Sequence, residues 1–83
     1  MKISIRYFAS IRETLGTSQE PLDTSATTLA ELRSELLARG GAYAECLAPG
    51  RALRMALNQV MAEDSAPLSE GAEVAFFPPV TGG

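Results

Sequence analysis

From residue 2 the chain alternates: Lys2, Ser4 and Arg6 are polar, Ile3, Ile5 and Tyr7 largely apolar. A period of two belongs to a strand with one buried face. Ile3, Ile5 and Tyr7 are therefore assigned to the core, and Lys2, Ser4, Arg6 and then Phe8 to the opposite face. Arg12 to Thr17 ends in a turn signal, and Gln19 to Leu22 reads as a short return strand. Pro21 has no N–H to give to a ladder, so that strand belongs at a sheet edge. The period then changes. Thr28-Leu29-Ala30-Glu31 has the form of a capping box, with a threonine hydroxyl to accept a backbone N–H and a glutamate to reach back. Leu29, Leu32, Leu36 and Leu37 recur at helical spacing up to Gly40-Gly41, which predicts a helix over 28–39. A turn of helix fits Tyr43 to Leu47, closed by Pro49-Gly50. Leu53, Met55 and Leu57 alternate with Arg54, Ala56 and Asn58 as a third strand. Asn58-Gln59 makes a turn before Val60 and Met61, and Ser65 to Gly71 reads as loop. Glu73 to Phe77 is the last strand, ended by Pro78-Pro79, which offer no N–H donors.

The order of elements is β-β-α-β-β with one main crossover helix. The simplest closed α+β solution makes a hairpin of the first two strands and lays the helix across one face of a mixed sheet. The first and last strands then run parallel in the centre through a right-handed crossover. This is the β-grasp, or ubiquitin-like, arrangement. At 83 residues the chain is sized for one small domain, expected over 1–77, with 78–83 as a flexible tail ending in Gly-Gly.

Composition narrows the chemistry. A net charge of −3 argues against nucleic acid as a partner. No apolar run approaches the ~20 residues of a membrane span, and no signal peptide is expected. With no His and a single Cys, the chain can build neither a Cys/His metal cluster nor a His-based triad. One Cys also cannot form an internal disulfide, consistent with a reducing cytoplasm. Cys46 reads as a small buried apolar residue, since its neighbours supply no cation to activate a thiol. Glu31 and Glu35 stand one helical turn apart, but the cap already accounts for Glu31. Gly40-Gly41 lacks phosphate-loop spacing. An enzyme acting alone is not expected.

The tail is the exception. Phe77-Pro78-Pro79-Val80-Thr81-Gly82-Gly83 leaves the last strand through two prolines that stiffen it toward an extended path. Six residues beyond Phe77 can reach roughly 20 Å. Gly82 and Gly83 lack Cβ atoms and could thread a channel too narrow for other residues. Such a tail would present an unhindered carboxylate, which is a poor electrophile until converted to an acyl-adenylate. Nothing in the chain suggests ATP binding, so a partner would have to perform that step.

Phe8-Ala9-Ser10-Ile11-Arg12-Glu13, Asn58-Gln59, and Asp64 through Gly71 leading into Glu73–Gly83 together resemble the small subunits of molybdopterin synthase, a family of sulfur carriers. The resemblance covers nearly the whole chain and is loosest over 40–52. It departs at Ala72, where an acidic residue is usual. It implies that Gly83 is adenylated and then converted to a thiocarboxylate, with Gly82 as its slender leader. It further implies an adenylating enzyme of the ubiquitin-activating kind that uses ATP and Mg²⁺, a sulfur donor protein, and a large synthase subunit that completes a heterotetramer. Sulfur would pass there to cyclic pyranopterin monophosphate, and the acid–base groups, notably a lysine, would belong to the large subunit. This chain would then be a non-catalytic, sulfur-donating subunit that binds no cofactor itself.

Phe8, Met61 and Phe77 all fall out of phase with the core positions beside them. They are expected to gather on the open sheet face as a docking surface, continued by Pro78, Val80 and Thr81 along the tail. Acidic charges around this patch would favour a basic partner surface. Gly-Gly chemistry is shared by sulfur carriers for thiamine or tRNA thiolation and by ubiquitin-like protein modifiers. Against these, the Phe76-Phe77-Pro78-Pro79-Val80 run favours the molybdopterin branch. An inert β-grasp interaction module is the remaining reading.

Overall fold

The computed structural model describes residues 1–48, 50 and 52–79. The alternating segment forms β1 (Lys2–Tyr7), with Ile3, Ile5 and Tyr7 buried and their neighbours exposed. A short helix α1 (Ala9–Leu15) intervenes before β2 (Gln19–Asp23), so the first two strands pair antiparallel without being a tight hairpin. The helix α2 (Leu29–Leu37) lies within the predicted span, and α3 (Gly41–Leu47) follows at once. Then come β3 (Arg54–Leu57), β4 (Val60–Ala62) and β5 (Glu73–Phe77). The sheet order is β2-β1-β5-β3-β4. β1 and β5 are adjacent and parallel, the other pairs are antiparallel, and β2 with Pro21 is an edge strand. The expected β-grasp is observed, enlarged by α1 and α3.

The core follows from the two periods. Leu29, Leu32 and Leu36 of α2 are fully buried against Ile5, Tyr7, Val74 and Phe76 of the central strands. Each such side chain contributes about 1.5–3 kcal/mol of burial. At the start of α2 the Thr28 hydroxyl accepts from Glu31 N–H at 3.2 Å, as the capping box requires. Glu31 reaches one residue further back than expected, accepting from both the N–H and the hydroxyl of Thr27. Glu35 is engaged elsewhere: its carboxylate accepts from the buried Thr24 hydroxyl, so the two glutamates do not form a pair. Cys46 is buried beside Leu47, as its apolar reading required.

Gly40 and Gly41, both at positive φ, end one helix and begin the next. The last carbonyls of α3 are capped from outside, with Arg33 donating from Nε to Leu47 O and from Nη2 to Ala48 O, each at 2.7 Å. Asn58 and Gln59 both take positive φ, the geometry of the two-residue hairpin that joins β3 to β4. Asn58 then ties that turn to the central strand: its Oδ1 accepts from Glu73 N–H at 2.9 Å, and its own N–H donates to Glu73 O. Ala72, at the position where the resemblance leads one to expect an acid, is a buried core residue.

A candidate docking face and the root of the tail

All three helices pack on one side of the sheet, so the positions that alternate with the core define the other side. Register places Arg6, Ala75, Ala56 and Met61 in one row across four strands. The next row holds Phe77 opposite Arg54. Phe8 follows β1, where its N–H donates to Phe76 O and carries the β1–β5 ladder one step further.

Phe8 and Phe77 meet edge to face, with ring centroids 6.4 Å apart. They form one wall of a trough of about 590 Å³ that Pro78 and Pro79 extend and whose floor is Ala56 and Ala75. The alanines make the floor shallow, because nothing projects from it beyond a Cβ. Ala9, with φ 51°, completes the wall in a left-handed conformation that costs a non-glycine residue about 1–2 kcal/mol. Phe8 and Met61 are 40% and 57% exposed, large values for apolar side chains on a small domain.

The sequence-predicted trio is thus on one face, but only Phe8 and Phe77 touch. Met61 stands across the alanine floor, on the β4 edge. Val60, in phase with the core, is nonetheless 67% exposed, because this edge strand extends past the cover of the helices. Charge around the patch is mixed: Arg6 and Glu73 line the trough, and Arg54 shares the cleft beside Met61 with Glu63 and Asp64. Of the expected interface and tail residues, Pro78 lines the trough. Val80, Thr81, Gly82 and Gly83 lie outside the described residues, as does Pro49 in the predicted closure of α3.

On the helix side a polar cluster escaped the sequence reading. The Glu20 carboxylate accepts from the Tyr7 hydroxyl at 2.9 Å, the Tyr43 hydroxyl at 2.8 Å and Arg39 Nη1 at 2.9 Å. The Arg39 guanidinium also stacks 4.8 Å over the Tyr43 ring. Burial alone would raise the Glu20 carboxyl, but the bonds from Arg39, Tyr43 and Tyr7 outweigh it and hold the group below the usual carboxylate range. Burial first, and then the Glu20 carboxylate, push the Tyr7 phenol well above its ordinary value. Every member is partnered, so the cluster is a clasp between β2, β1 and the α2–α3 junction. Among the described residues there is no grouping of side chains suited to a metal ion and no helix long and apolar enough to cross a membrane.

A mixed five-strand sheet with parallel β1 and β5, one helix-covered face and one open apolar face defines a ubiquitin-like β-grasp protein. The family model described as the ThiS family matches residues 5–83, and the chain belongs to that family. It is 40% identical over 81 residues to the molybdopterin synthase sulfur carrier subunit of Escherichia coli, covering 98% of this chain and 99% of that one. It is 35% identical to the protein of the same name from Haemophilus influenzae over the same shares. Among solved structures it superposes with TM-score 0.71 and 27% identity, over the full length of both chains, on a chain of the protein–protein complex of subunits 1 and 2 of molybdopterin-converting factor from Helicobacter pylori. These findings bear out the resemblance read from the sequence.

Proposed function

We propose that the chain is the sulfur carrier subunit of a molybdopterin synthase. The observation that carries this reading is 40% identity spanning 98% of this chain and 99% of a relative that bears that function in its name. In this reading residues 1–77 are the docking body and 78–83 the tail that delivers the reacting group. The Gly83 carboxylate attacks the α-phosphorus of ATP on a partner adenylating enzyme that also supplies Mg²⁺, and pyrophosphate leaves. Sulfur from a donor protein, delivered at the sulfide level, then adds to the acyl carbon, and AMP leaves a thiocarboxylate. Phe8, Met61 and Phe77 seat the charged carrier on the large subunit. Pro78, Val80, Thr81 and Gly82 lead Gly83 to cyclic pyranopterin monophosphate in a cytoplasmic, heterotetrameric complex. The carrier holds no cofactor of its own.

What the described residues contribute is position. The Phe8 N–H bond to Phe76 O and the Phe8–Phe77 ring contact fix the root of the tail against the docking wall. A near-attack geometry of ~3–3.5 Å at the far end of a partner channel needs such a fixed origin. The test is intact mass of the protein from cells with an active pathway, followed by incubation with a purified large subunit. A sulfur-for-oxygen mass increase on Gly83, lost as the pterin dithiolene forms, is expected. Gly83 found instead in isopeptide linkage to lysines of other proteins, with no thiocarboxylate, would overturn the reading in favour of a modifier.

A further inference from the structure

Among the described residues, three that are not glycine take positive φ: Ala9 at 51°, Asn58 at 51° and Gln59 at 68°. All three belong to the trough or adjoin it. Ala9 and Gln59 line it from opposite ends of β5, and Asn58 is bonded to Glu73, which lines it too. A residue with a Cβ enters this backbone region at a cost, and such strain gathers at functional sites. Asn58 has a local reason to be there, since asparagine tolerates the conformation and its Oδ1 accepts from Glu73 N–H at 2.9 Å. Gln59 has none. In a two-residue hairpin with both φ positive the second position favours glycine, which adopts φ 68° without strain. The Gln59 side chain is exposed and forms no hydrogen bond among the described residues, so nothing within the chain offsets its strain.

The end of the trough where Gln59 stands also holds Arg6 and Glu73, but Arg6 Nε and Glu73 Oε2 lie 3.7 Å apart and answer each other. The carboxamide is the polar group left over, and it both donates and accepts. Its complement is another amide. We infer that Gln59 is a specificity-determining residue of the docking trough, presenting its carboxamide to a main-chain peptide group of the large subunit. An apolar side chain of the same segment rests on the floor of Ala56 and Ala75, against Phe8 and Phe77. The inference rests on the sulfur-carrier reading and adds to it the residue that selects the partner's segment.

The test is a pair of effects opposite in sign. Gln59→Gly removes the strain and the carboxamide together, whereas Gln59→Ala removes the carboxamide and keeps the strain. The full chain in each form is unfolded in urea and titrated calorimetrically with the large subunit of the same organism. Gln59→Gly is expected to raise the unfolding midpoint above wild type, by a margin reduced but not cancelled by the freedom of glycine in the unfolded chain. The same variant should bind the large subunit about five- to tenfold more weakly. Gln59→Ala should bind equally weakly, with a midpoint near that of wild type. If Gln59→Gly lowers the midpoint, the side chain supports the fold and the inference fails. It also fails if both variants bind like wild type, while the carrier reading stands. Weaker binding by Gln59→Gly alone would trace the loss to a loosened turn and likewise overturn it. If wild type itself does not bind the large subunit, the carrier reading fails and takes the inference with it.

Discussion

Phe76 and Phe77 are neighbours in sequence with opposite tasks, which allows a matched pair of truncations. Phe76 is fully buried, its ring stacked 6.2 Å from Tyr7, within the cluster that α2 closes. Phe76→Ala should cost about 3–5 kcal/mol, as buried aromatic truncations do. For a domain of this size the total is about 4–12 kcal/mol, so this variant should be largely unfolded or close to it. Phe77 is partly buried on the open face, and its contact within the chain is the edge of Phe8. Removing it should cost the free protein about 1 kcal/mol. In the complex, docking would cover at most about a third of its roughly 200 Å², the share a partly buried side chain leaves to solvent, which is up to about 1.7 kcal/mol at ~25 cal/mol/Å². Adding the unfilled site left on the partner, Phe77→Ala should weaken binding about 30-fold, near 2 kcal/mol. Urea unfolding gives the first quantity and titration calorimetry with the large subunit the second. Equal destabilisation by the two variants, or unchanged binding by Phe77→Ala, would refute the assignment of the two faces.

Three other perturbations test separate parts of the structure. Glu20→Gln should cost about 1–2 kcal/mol at pH 7, because one charged acceptor holds three donors. The Glu20 carboxyl titrates lower folded than unfolded, so its contribution is complete above the unfolded value and is lost as pH falls through the folded one. The gap between wild type and Glu20→Gln in unfolding midpoint should therefore close in acid, and a gap independent of pH would show the clasp is not electrostatic. Asn58→Ala should destabilise by about 2 kcal/mol, combining the lost bond to Glu73 N–H with a left-handed φ of 51°. Asn58→Gly should recover the conformational share only, and full recovery would remove the hydrogen bond from the account. Cys46→Ala should leave the rate of sulfur transfer near that of wild type, because the proposed cargo rides on Gly83; a loss of transfer in a folded variant would place the chemistry on the thiol.

The elements legible in the sequence are those whose period meets a single buried face. β1, α2 and β5 each bury every second or every third to fourth residue, and each was read within a residue or two of its observed bounds. Helix α1 was not legible for the same reason: it buries Ile11 alone, has no side-chain cap and starts from a left-handed Ala9. The Phe8 and Phe77 pairing could be read because both sit out of phase on strands that turn out to be adjacent. The Glu20 clasp could not, since its donors lie 13 to 23 residues away and converge only once β2, β1 and α3 are packed.

The reactive groups named above are distributed in a way that suits the proposed role of a carrier. Among the described residues, the Cys46 sulfur is buried, the Tyr7 phenol is held protonated by burial and by Glu20, and Glu20 is saturated by three donors. Glu31 and Glu35 are spent on threonines at the start of α2. These groups are thus occupied in holding the fold, and the helix side of the sheet is closed by the core. The open face offers an apolar trough with charged flanks, and the strand that forms its wall is the strand from which the tail leaves. In the proposed carrier, a partner that grips Phe77 also grips the strand from which the tail leaves, so docking and delivery would be set by one strand. Separating them would require moving β5, the central strand, held by β1 on one side and β3 on the other.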